Sequence, residues 1–309
     1  MIMNSTETPV LLIVFNRPDK ARQSFAAIRD ARPKKLYLAA DGPRHEEERA
    51  KCDACRALAQ EVDWDCEVHT LFRDENVGCG RGPYESINWL FEHEETGIIL
   101  EDDCLPHPSF FAFCDEVLER YRQDTRVMHV AGTYYLGDWQ HDADYSYRFS
   151  QHGATWGWAT WRRAWQHYDY ELKGFPELRR KGYFDHFFTL EKEKRYRLNL
   201  FQQTYDDPAS VDWWDYQWDF ARYSQNGLSI VPNVNLISNI GFGEDATHTF
   251  NSDRKEANLE TKGMALPVRH PPFVMRDYES DRRKMVSYFS LPLSFRIKRK
   301  LKKMFPTHA

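Results

Sequence analysis

The sequence predicts an α/β protein whose main element is a mostly parallel sheet. Through the first 133 residues, short apolar runs alternate with segments of helical periodicity, which is typical of right-handed βαβ units. Each apolar run is followed by a polar turn, as expected where buried strands end at one edge of a sheet. Hydrophobic residues make up 41% of the chain, which is enough for a sizeable core.

The first two β/α units follow each other directly. Residues 9–15 (PVLLIVF) are apolar throughout and predict a strand, and Pro18 lies near the start of a helix over 19–31. Residues 35–40 (KLYLAA) predict a second strand, and a helix over 45–61 follows it. Two strands joined by a helix in this way are expected to lie parallel.

Two more β/α units and a closing strand complete this part of the chain. Strands are predicted over 66–72, 97–100 and 126–133, and helices over 83–94 and 109–124. Beyond residue 133 the alternation stops, and Trp and Tyr are crowded together in segments such as TWGWATWRRAWQHYDY and VDWWDYQWDF. This change predicts a smaller, aromatic-rich α+β lobe packed against the carboxyl edge of the sheet.

The boundaries that follow are 1–133 for the first lobe, 134–250 for the aromatic-rich lobe and 251–309 for a C-terminal extension. Within the extension, residues 294–305 (SFRIKRKLKKMF) interleave apolar side chains with basic ones and contain no acid. Such a pattern predicts a helix lying on an anionic membrane surface, and a solvated basic tail is the alternative.

Charge and hydropathy exclude some classes of protein. The formal net charge of −5 argues against a nucleic-acid partner. No apolar run approaches the roughly 18 residues of a transmembrane helix, and the N-terminus does not resemble a secretory signal, so we expect a cytoplasmic protein with peripheral membrane contact at most. The cysteines are expected to be reduced thiols, and the Cys52–Cys55 pair lacks the partners of a zinc site.

The fourth predicted strand ends in three adjacent carboxylates, Glu101, Asp102 and Asp103. Charged side chains belong at the end of a buried strand, where ligands bind in open α/β sheets. Hard oxygen donors without sulfur or imidazole suit Mg²⁺ or Mn²⁺ held together with phosphate groups. The alternative is that these residues only form the turn before the next helix.

Other strand ends are predicted to lie at the same edge. Asn16 and Arg17 follow the first strand, and Asp41 follows the second. Together they offer a nucleotide an Arg for its phosphates or base and a carboxylate for a base N–H group. The glycine-rich segment 76–82, which contains Arg81, precedes a helix and could cradle phosphate, although a flexible loop is the alternative.

These motifs resemble a known family. The residues that carry the resemblance are VLLIVFNRPDKARQSF, LAADGP, GIILEDDCLPHPSFFAFCDEVLERYRQDTRV, TWGWATW and WWDYQWDFA, within residues 9–250. They are similar to the metal-dependent nucleotide-sugar glycosyltransferases of the GT-A fold, above all to the branch of the N-acetylglucosaminyltransferase that initiates complex N-glycans and its bacterial relatives. The resemblance implies that the acidic triplet is the D-x-D motif of that family.

The resemblance implies roles for the first lobe as a nucleotide-sugar-binding lobe. Asp103 would coordinate Mn²⁺ or Mg²⁺ between the two phosphates of a UDP-sugar, Asp102 would contact the donor sugar, and Glu101 would lie near the ribose. Arg17, together with Asn16 and Arg81, would serve the nucleotide or its phosphates. Asp41 would read the uracil.

In the acceptor lobe, the resemblance places the catalytic base in a segment where Trp214-Asp215 matches the family, which gives Asp215. The segment departs from the family pattern at Tyr216-Gln217, and Asp212 and Asp219 are nearby, so the choice of base stays open at this point. A carboxylate between tryptophans is expected to have a raised pKa, which suits a base, and structural capping is the alternative.

Aromatic rings can cover the C–H faces of sugars, so Trp158 and Trp214 are candidate contacts for the acceptor, with packing in the core as the alternative. His248 lies in a loop that could close over a diphosphate and ligate the metal, although a lone His is more often structural.

The predicted activity is therefore the transfer of a sugar from a UDP-sugar to a hydroxyl of a glycan or lipid-linked acceptor, with inversion at the anomeric carbon. Two other functions stay open. A sugar-phosphate nucleotidyltransferase shares the sheet and the acidic site but would need a Gly-rich, basic loop directly after the first strand, where Asn16-Arg17-Pro18 stands. A carbohydrate-binding protein without activity is the third.

Overall fold

The computed structural model describes residues 5–242 and 258–289. Ten strands lie in this part of the chain: β1 Val10–Val14, β2 Lys35–Ala40, β3 Glu67–Phe72, β4 Thr96–Glu101, β5 Cys104–Pro106, β6 Val127–Ala131, β7 Tyr147–Ser150, β8 Trp158–Trp161, β9 Leu228–Pro232 and β10 Ile237–Asn239.

The α-helices of the same residues are α1 Pro18–Ala31, α2 Arg49–Arg56, α3 Gly78–His93, α4 Ser109–Arg120, α5 Arg162–Trp165, α6 Phe175–Arg180, α7 Glu191–Asp206, α8 Asp215–Ser224 and α9 Tyr278–Phe289. Short 3₁₀ turns flank α2 on both sides. No helix in the described ranges is both long and apolar enough to cross a bilayer.

The main sheet has eight strands in the order β3-β2-β1-β4-β8-β6-β9-β7. β3, β2, β1 and β4 are mutually parallel, β8 is antiparallel to both of its neighbours, β9 is parallel to β6, and β7 closes the sheet antiparallel to β9. The prediction of an α/β fold with a mostly parallel sheet is confirmed. The carboxyl ends of β1, β2, β4, β6 and β9 therefore lie at one edge.

The central strands are apolar throughout because both faces of the sheet are covered. Val10, Leu12 and Val14 lie in one core cluster with α1 and α4 side chains, whereas Leu11 belongs to the cluster on the opposite face, with Leu90 of α3. Since successive strand residues point to opposite faces, both sets must be apolar. This explains the continuous apolar runs of the sequence.

Three of the strands beyond residue 133, β7, β8 and β9, join this same sheet, and β10 pairs with β5 in a separate two-stranded sheet. β8 inserts between β4 and β6, where Trp158–Trp161 pairs with Thr96–Ile99. The aromatic segment around β8 is therefore part of the central layer, although α6, α7 and α8 build a smaller phenylalanine-rich core around Phe201 and Phe220. The division of the chain at residue 133 stays a prediction.

Two local expectations are corrected. The glycine-rich segment is not an open loop, because α3 already begins at Gly78. Its glycines allow close packing, since a Cβ at Gly80 would lie 3.0 Å from the carbonyl oxygen of Val211. Helix α9 lies in a region expected to be a wrapping extension and linker, and it packs on α7 and β7. Within the described residues no disulfide joins any two of the six cysteines.

Candidate active site

Arg17 and the acidic triplet meet at the carboxyl edge of the sheet. Arg17 directly follows β1 and precedes α1, and Glu101 is the last residue of the neighbouring β4. The guanidinium of Arg17 donates to both carboxylate oxygens of Asp102, from Nε at 3.1 Å and from Nη2, and Nη2 also lies 3.1 Å from Oδ2 of Asp103. The sequence prediction that these side chains converge is thus matched by a direct ion-pair network.

A second layer of contacts holds Asp103. β5 and β10 pair antiparallel, which brings Asn239 and Gly241 against the triplet. The amide of Asn239 lies 3.4 Å from Oδ1 of Asp103, and the Ile240 N–H donates to the Asp103 carbonyl at 2.9 Å. A Cβ at Gly241 would collide with Oδ2 of Asp103, so only glycine allows the backbone to approach this carboxylate. Asn239 and Gly241 had not been identified from the sequence.

The triplet is a site of concentrated negative charge. Burial and the charges of Asp103 and Asp102 raise the pKa of Glu101 well above its ordinary value, and the charge of Asp215 raises it further. Burial also raises the pKa of Asp102, although Arg17 opposes this shift. Burial alone would lower the pKa of Arg17, but Asp102 and Asp103 raise it above its ordinary value. With a pKa of about 8, Glu101 is mostly protonated near pH 7, and a bound cation would relieve the repulsion between the carboxylates that raises this pKa.

Asp41 and Asn16 are both engaged within the protein. The Asp41 carboxylate accepts from the N–H groups of Val77 and Gly78 at 3.1–3.2 Å and from Nδ2 of Asn76 at 3.0 Å. Burial raises the pKa of Asp41, and these N–H groups oppose the shift. Asp41 therefore accepts hydrogen bonds from the N–H groups at the start of α3, the groups that the sequence had suggested for binding phosphate. Asn16 donates to Glu48 at 2.8 Å.

The predicted donor contact Arg81 lies on the exposed side of α3. Its Nε lies 2.5 Å from Oε1 of Glu85, one turn later. The side chain of Arg81 is 64% exposed, so it can reorient at little cost. Its role in binding the donor stays a prediction.

Asp215 faces the triplet from the second part of the chain. It is the first residue of α8 and is partly exposed. Burial and the charge of Asp219 raise the pKa of Asp215 to about 6, although Arg197 and the N–H groups at the helix start oppose the shift. The charge of Asp215 also contributes to the raised pKa of Glu101, so the two carboxylates are close enough to interact electrostatically. The site thus contains an acid that can accept a proton near neutrality.

The other two candidates for the base differ from Asp215. Asp219 lies between Arg197 and Arg222 and forms ion pairs with both, so its carboxylate is committed to packing α7 against α8. Asp212 is exposed, and its Oδ1 lies 2.7 Å from the Cys79 thiol at the start of α3. Contacts between this segment and α3 place the start of α8 beside the triplet.

The expected acceptor contacts through tryptophan are corrected. Trp158 is fully buried, and its ring stacks on His129 at 5.0 Å and on Trp214 at 5.7 Å between centroids. Trp214 is only 5% exposed and belongs to the same core cluster. Both rings line the interior because β8 lies in the middle of the sheet, and neither offers a face to a sugar.

Of the two predicted metal ligands, Asp103 and His248, only Asp103 lies within the described residues. His248 lies outside the described residues. Within residues 5–242 and 258–289, no group of three or more His, Cys, Asp or Glu side chains is arranged to hold a metal ion. The donor set nevertheless fits Mn²⁺ or Mg²⁺, because such ions are often held by one or two carboxylates together with phosphate oxygens and water. Asp103, with 13% of its side chain exposed, is the carboxylate placed for this.

Two surface concavities lie away from the acids. One is lined by residues 119–126, in the loop before β6, and the other is lined by residues that include Phe91 and Arg162. Both lie at the amino edge of the parallel strands, opposite the triplet. They therefore do not belong to the candidate site.

Comparison with known proteins gives distant likenesses only. No protein-family model matches the chain, and no curated protein matches it in sequence. Among solved structures, the inositol-1-phosphate CTP transferase from T. maritima is similar with a TM-score of 0.42 and 11% identity, over 82% of this chain and 95% of that one. HddC from Yersinia pseudotuberculosis is similar with a TM-score of 0.33 and 11% identity, over 55% and 85%. Function is therefore inferred from the residues of the site.

Proposed function

We propose that this chain is a transferase that binds a nucleotide-sugar at the carboxyl edge of its sheet and, more narrowly, a metal-dependent glycosyltransferase of the GT-A type. The observation that supports the proposal is the ion-pair network of Arg17 with Asp102 and Asp103 beside Glu101, whose pKa the charge of Asp215 also raises. Glycosyl transfer needs both halves of this arrangement, a cation site for a leaving diphosphate and a base for the incoming hydroxyl.

In this mechanism Asp103 is the residue that would hold Mn²⁺ or Mg²⁺ for a UDP-sugar donor. The bound cation supplies neutralisation of the charge that grows on the leaving diphosphate. Arg17 fixes Asp102 and Asp103 in place, because its guanidinium contacts both carboxylates. The donor side of the cleft is thus ordered before the substrate arrives.

Asp215 accepts the proton of the attacking acceptor hydroxyl. As the oxygen–carbon bond to the anomeric carbon forms, the bond from that carbon to the diphosphate oxygen breaks, and UDP leaves with the bonding electron pair. A single displacement of this kind inverts the anomeric carbon. With a pKa raised to about 6, Asp215 is mostly ionised at pH 7 and is a stronger base than an ordinary Asp.

Binding of the donor nucleotide tests the proposal. Isothermal titration of UDP should show binding that depends on Mn²⁺ in the wild type, and Asp103→Asn should weaken it at least about tenfold, since a charged ligand to the metal is lost. Asp19→Asn, an exposed carboxylate in the first turn of α1, is the matched control and should bind as the wild type does. UDP binding that is indifferent to Mn²⁺ and to Asp103 would refute the metal site.

Sugar-phosphate nucleotidyl transfer is the second candidate, because an acidic cluster beside Arg17 would also suit the metal of that reaction. The contacts of Arg17 argue against nucleotidyl transfer, because its guanidinium donates to Asp102 and is therefore not available to bind a triphosphate. The products separate the two reactions. A UDP-sugar donor should yield free UDP in the presence of Mn²⁺, whereas pyrophosphate released from CTP or UTP and a sugar 1-phosphate would favour nucleotidyl transfer.

A further inference from the structure

A group of cationic side chains lies at the same edge of the sheet, beyond the proposed base. Lys284 is on α9, Arg148 is on β7, and Arg197 is on α7. Burial lowers the pKa of Lys284 to about 8, and the charges of Arg148 and Arg197 contribute to the lowering. Because α9 packs on both β7 and α7, the three side chains lie near one another, and the charges of Asp281 and Asp219 oppose the lowering of the Lys284 pKa.

Two of these cations are without a close counterion. Lys284 Nζ forms no hydrogen bond or ion pair within the described residues and lies 5.1 Å from the centroid of the Tyr135 ring. Nε of Arg148 is buried without a hydrogen-bond partner, and the nearest carboxylate oxygen, on Asp277, is 4.0 Å away. A buried cation without a partner is costly, which indicates that a ligand supplies the missing negative charge.

The carboxylates around this group are already committed. Asp281 accepts from Nε of Arg276 at 2.6 Å and from the Gln151 N–H at 3.0 Å. Asp277 accepts from the N–H and hydroxyl of Ser280 and from His141. Within the described residues neither acid forms a hydrogen bond to Lys284 or Arg148, although the charge of Asp281 acts on both cations and that of Asp277 acts on Arg148.

Glu193, which acts on Arg197, is only partly ionised near neutrality. This residue is fully buried, and burial raises its pKa to about 7. Neither carboxylate oxygen of Glu193 has a hydrogen-bond partner, and the nearest ring nitrogen, Nε2 of His152, lies 3.3 Å from Oε1. Glu193 therefore offsets the cations only in part near pH 7.

The cationic group is continuous with the proposed base. Asp215 and Asp219 are four residues apart on α8 and so share one face of the helix. Asp219 pairs with Arg197, whose charge in turn acts on Lys284.

We propose that Lys284 and Arg148 bind an anionic group, a phosphate or a carboxylate, carried by the sugar acceptor. The Tyr135 ring, which is partly exposed beside Lys284, supplies an apolar face for the pyranose that carries this group. The identity of the bound molecule as the acceptor rests on the proposed glycosyltransferase function. The anion site itself depends only on the cations.

Binding of small acidic sugars tests this site. Glucuronic acid, glucose 6-phosphate and the neutral methyl glucoside are titrated into the protein, with and without saturating UDP and Mn²⁺, and their affinities are compared by saturation-transfer NMR. At least one of the two anionic sugars should bind about tenfold more tightly than the neutral one, and the better of the two identifies phosphate or carboxylate as the preferred group. Equal binding of all three sugars would overturn the proposal.

Lys284→Met is the decisive variant, and Arg282→Met is its matched control on the same helix. Arg282 is exposed and pairs with Glu279 at 2.9 Å, so its loss removes the same charge without touching the cationic group. Lys284→Met should abolish the preference for the anionic sugar, whereas Arg282→Met should keep it. Thermal unfolding checks the fold of Lys284→Met, whose apolar side chain of similar length is expected to be accommodated. A preference retained in Lys284→Met would overturn the assignment.

The failure of one proposal is distinguishable from the failure of the other. If anionic sugars bind through Lys284 but UDP does not bind with Mn²⁺, the anion site stands and the glycosyltransferase proposal falls. If UDP binds with Mn²⁺ but anionic sugars bind no more tightly than the neutral sugar, the glycosyltransferase proposal stands and the anion site falls.

Discussion

Arg17 donates two hydrogen bonds to the carboxylate of Asp102, and this fork joins the end of β1 to the end of β4. The pair is largely withdrawn from solvent, with side-chain exposures of 19% for Arg17 and 4% for Asp102. A planar guanidinium can bind both oxygens at once and still reach Asp103, which a point charge cannot do. The same contact therefore contributes to stability and shapes the donor side of the cleft.

The first prediction concerns this fork. Arg17→Met leaves buried carboxylates without their cation and should lower the free energy of unfolding by about 3 kcal/mol, whereas Arg17→Lys keeps a charge and should cost about half as much. Urea denaturation at pH 7 measures both. Arg22→Met, which removes an exposed partner of Glu61 at 2.9 Å, is the control and should cost under about 1 kcal/mol. Equal losses for the three variants would contradict this assignment.

A second prediction tests the glycine beside the metal ligand. Gly241→Ala places a Cβ against Oδ2 of Asp103, so the carboxylate must turn or the backbone must shift. Mn²⁺-dependent UDP binding should weaken at least about tenfold, since the ligand is displaced. The control is Gly174→Ala, where a Cβ would meet only Phe220 at 4.0 Å. Isothermal titration measures UDP binding by both variants. If Gly241→Ala binds UDP as tightly as Gly174→Ala does, the close approach of Gly241 to Asp103 does not matter for binding.

The first part of the fold follows from the sequence because its signals are local. Continuous apolar runs and a Pro at the start of α1 are sufficient to predict β1, β2 and β4 and the edge at which Arg17 meets the acids. The insertion of β8 between β4 and β6 is a long-range pairing, and a tetrapeptide WATW carries no sign of it. The same reason explains the correction at Trp158, since an aromatic ring looks alike in a core and in a sugar site.

Two contributions to the site also depend on the tertiary structure. Asn239 and Gly241 reach Asp103 only because β10 pairs with β5, and a three-residue strand of this kind has little sequence signature. Helix α9, which carries Lys284, is polar over most of its surface and lacks the apolar stripe by which helices are recognised. The carboxylates at the end of β4 could be predicted from the sequence, but the residues that contact Asp103 from β10 and the segment after it could not.

A third prediction concerns the basic segment 294–305, which lies outside the described residues. Its alternation of basic and apolar side chains should bring the full chain to anionic vesicles. Flotation with liposomes containing phosphatidylglycerol should recover the full chain, and a variant ending at Pro292 should stay unbound. Neutral liposomes are the control, and equal partitioning of the two proteins would refute membrane contact.

A fourth prediction concerns stability and pH. Burial raises the pKa of Glu193 from 4.5 to about 7, so its contribution to stability is complete below pH 4.5 and is lost as the pH rises through 7. Wild-type protein should lose on the order of 2 kcal/mol from this group between pH 5 and pH 8, and Glu193→Gln should avoid most of that loss. Urea denaturation at both pH values measures the difference. Glu191→Gln, an exposed position on the same helix, should behave as the wild type.

The last prediction decides between the candidate bases. Asp215 must be ionised to accept the proton of the acceptor, so kcat/KM for sugar transfer should rise with pH, with a midpoint near its pKa of about 6, and then level off. Asp215→Asn should lower kcat by roughly a hundredfold or more, the usual contribution of a general base, and should remove this limb of the profile. Donor binding, measured by titration of UDP with Mn²⁺, should change little. Asp212→Asn is the matched control, because Asp212 is exposed and contacts Cys79 near the start of α3. If Asp212→Asn loses the acidic limb and Asp215→Asn keeps it, the base is Asp212 and the cleft opens to the other side of α8.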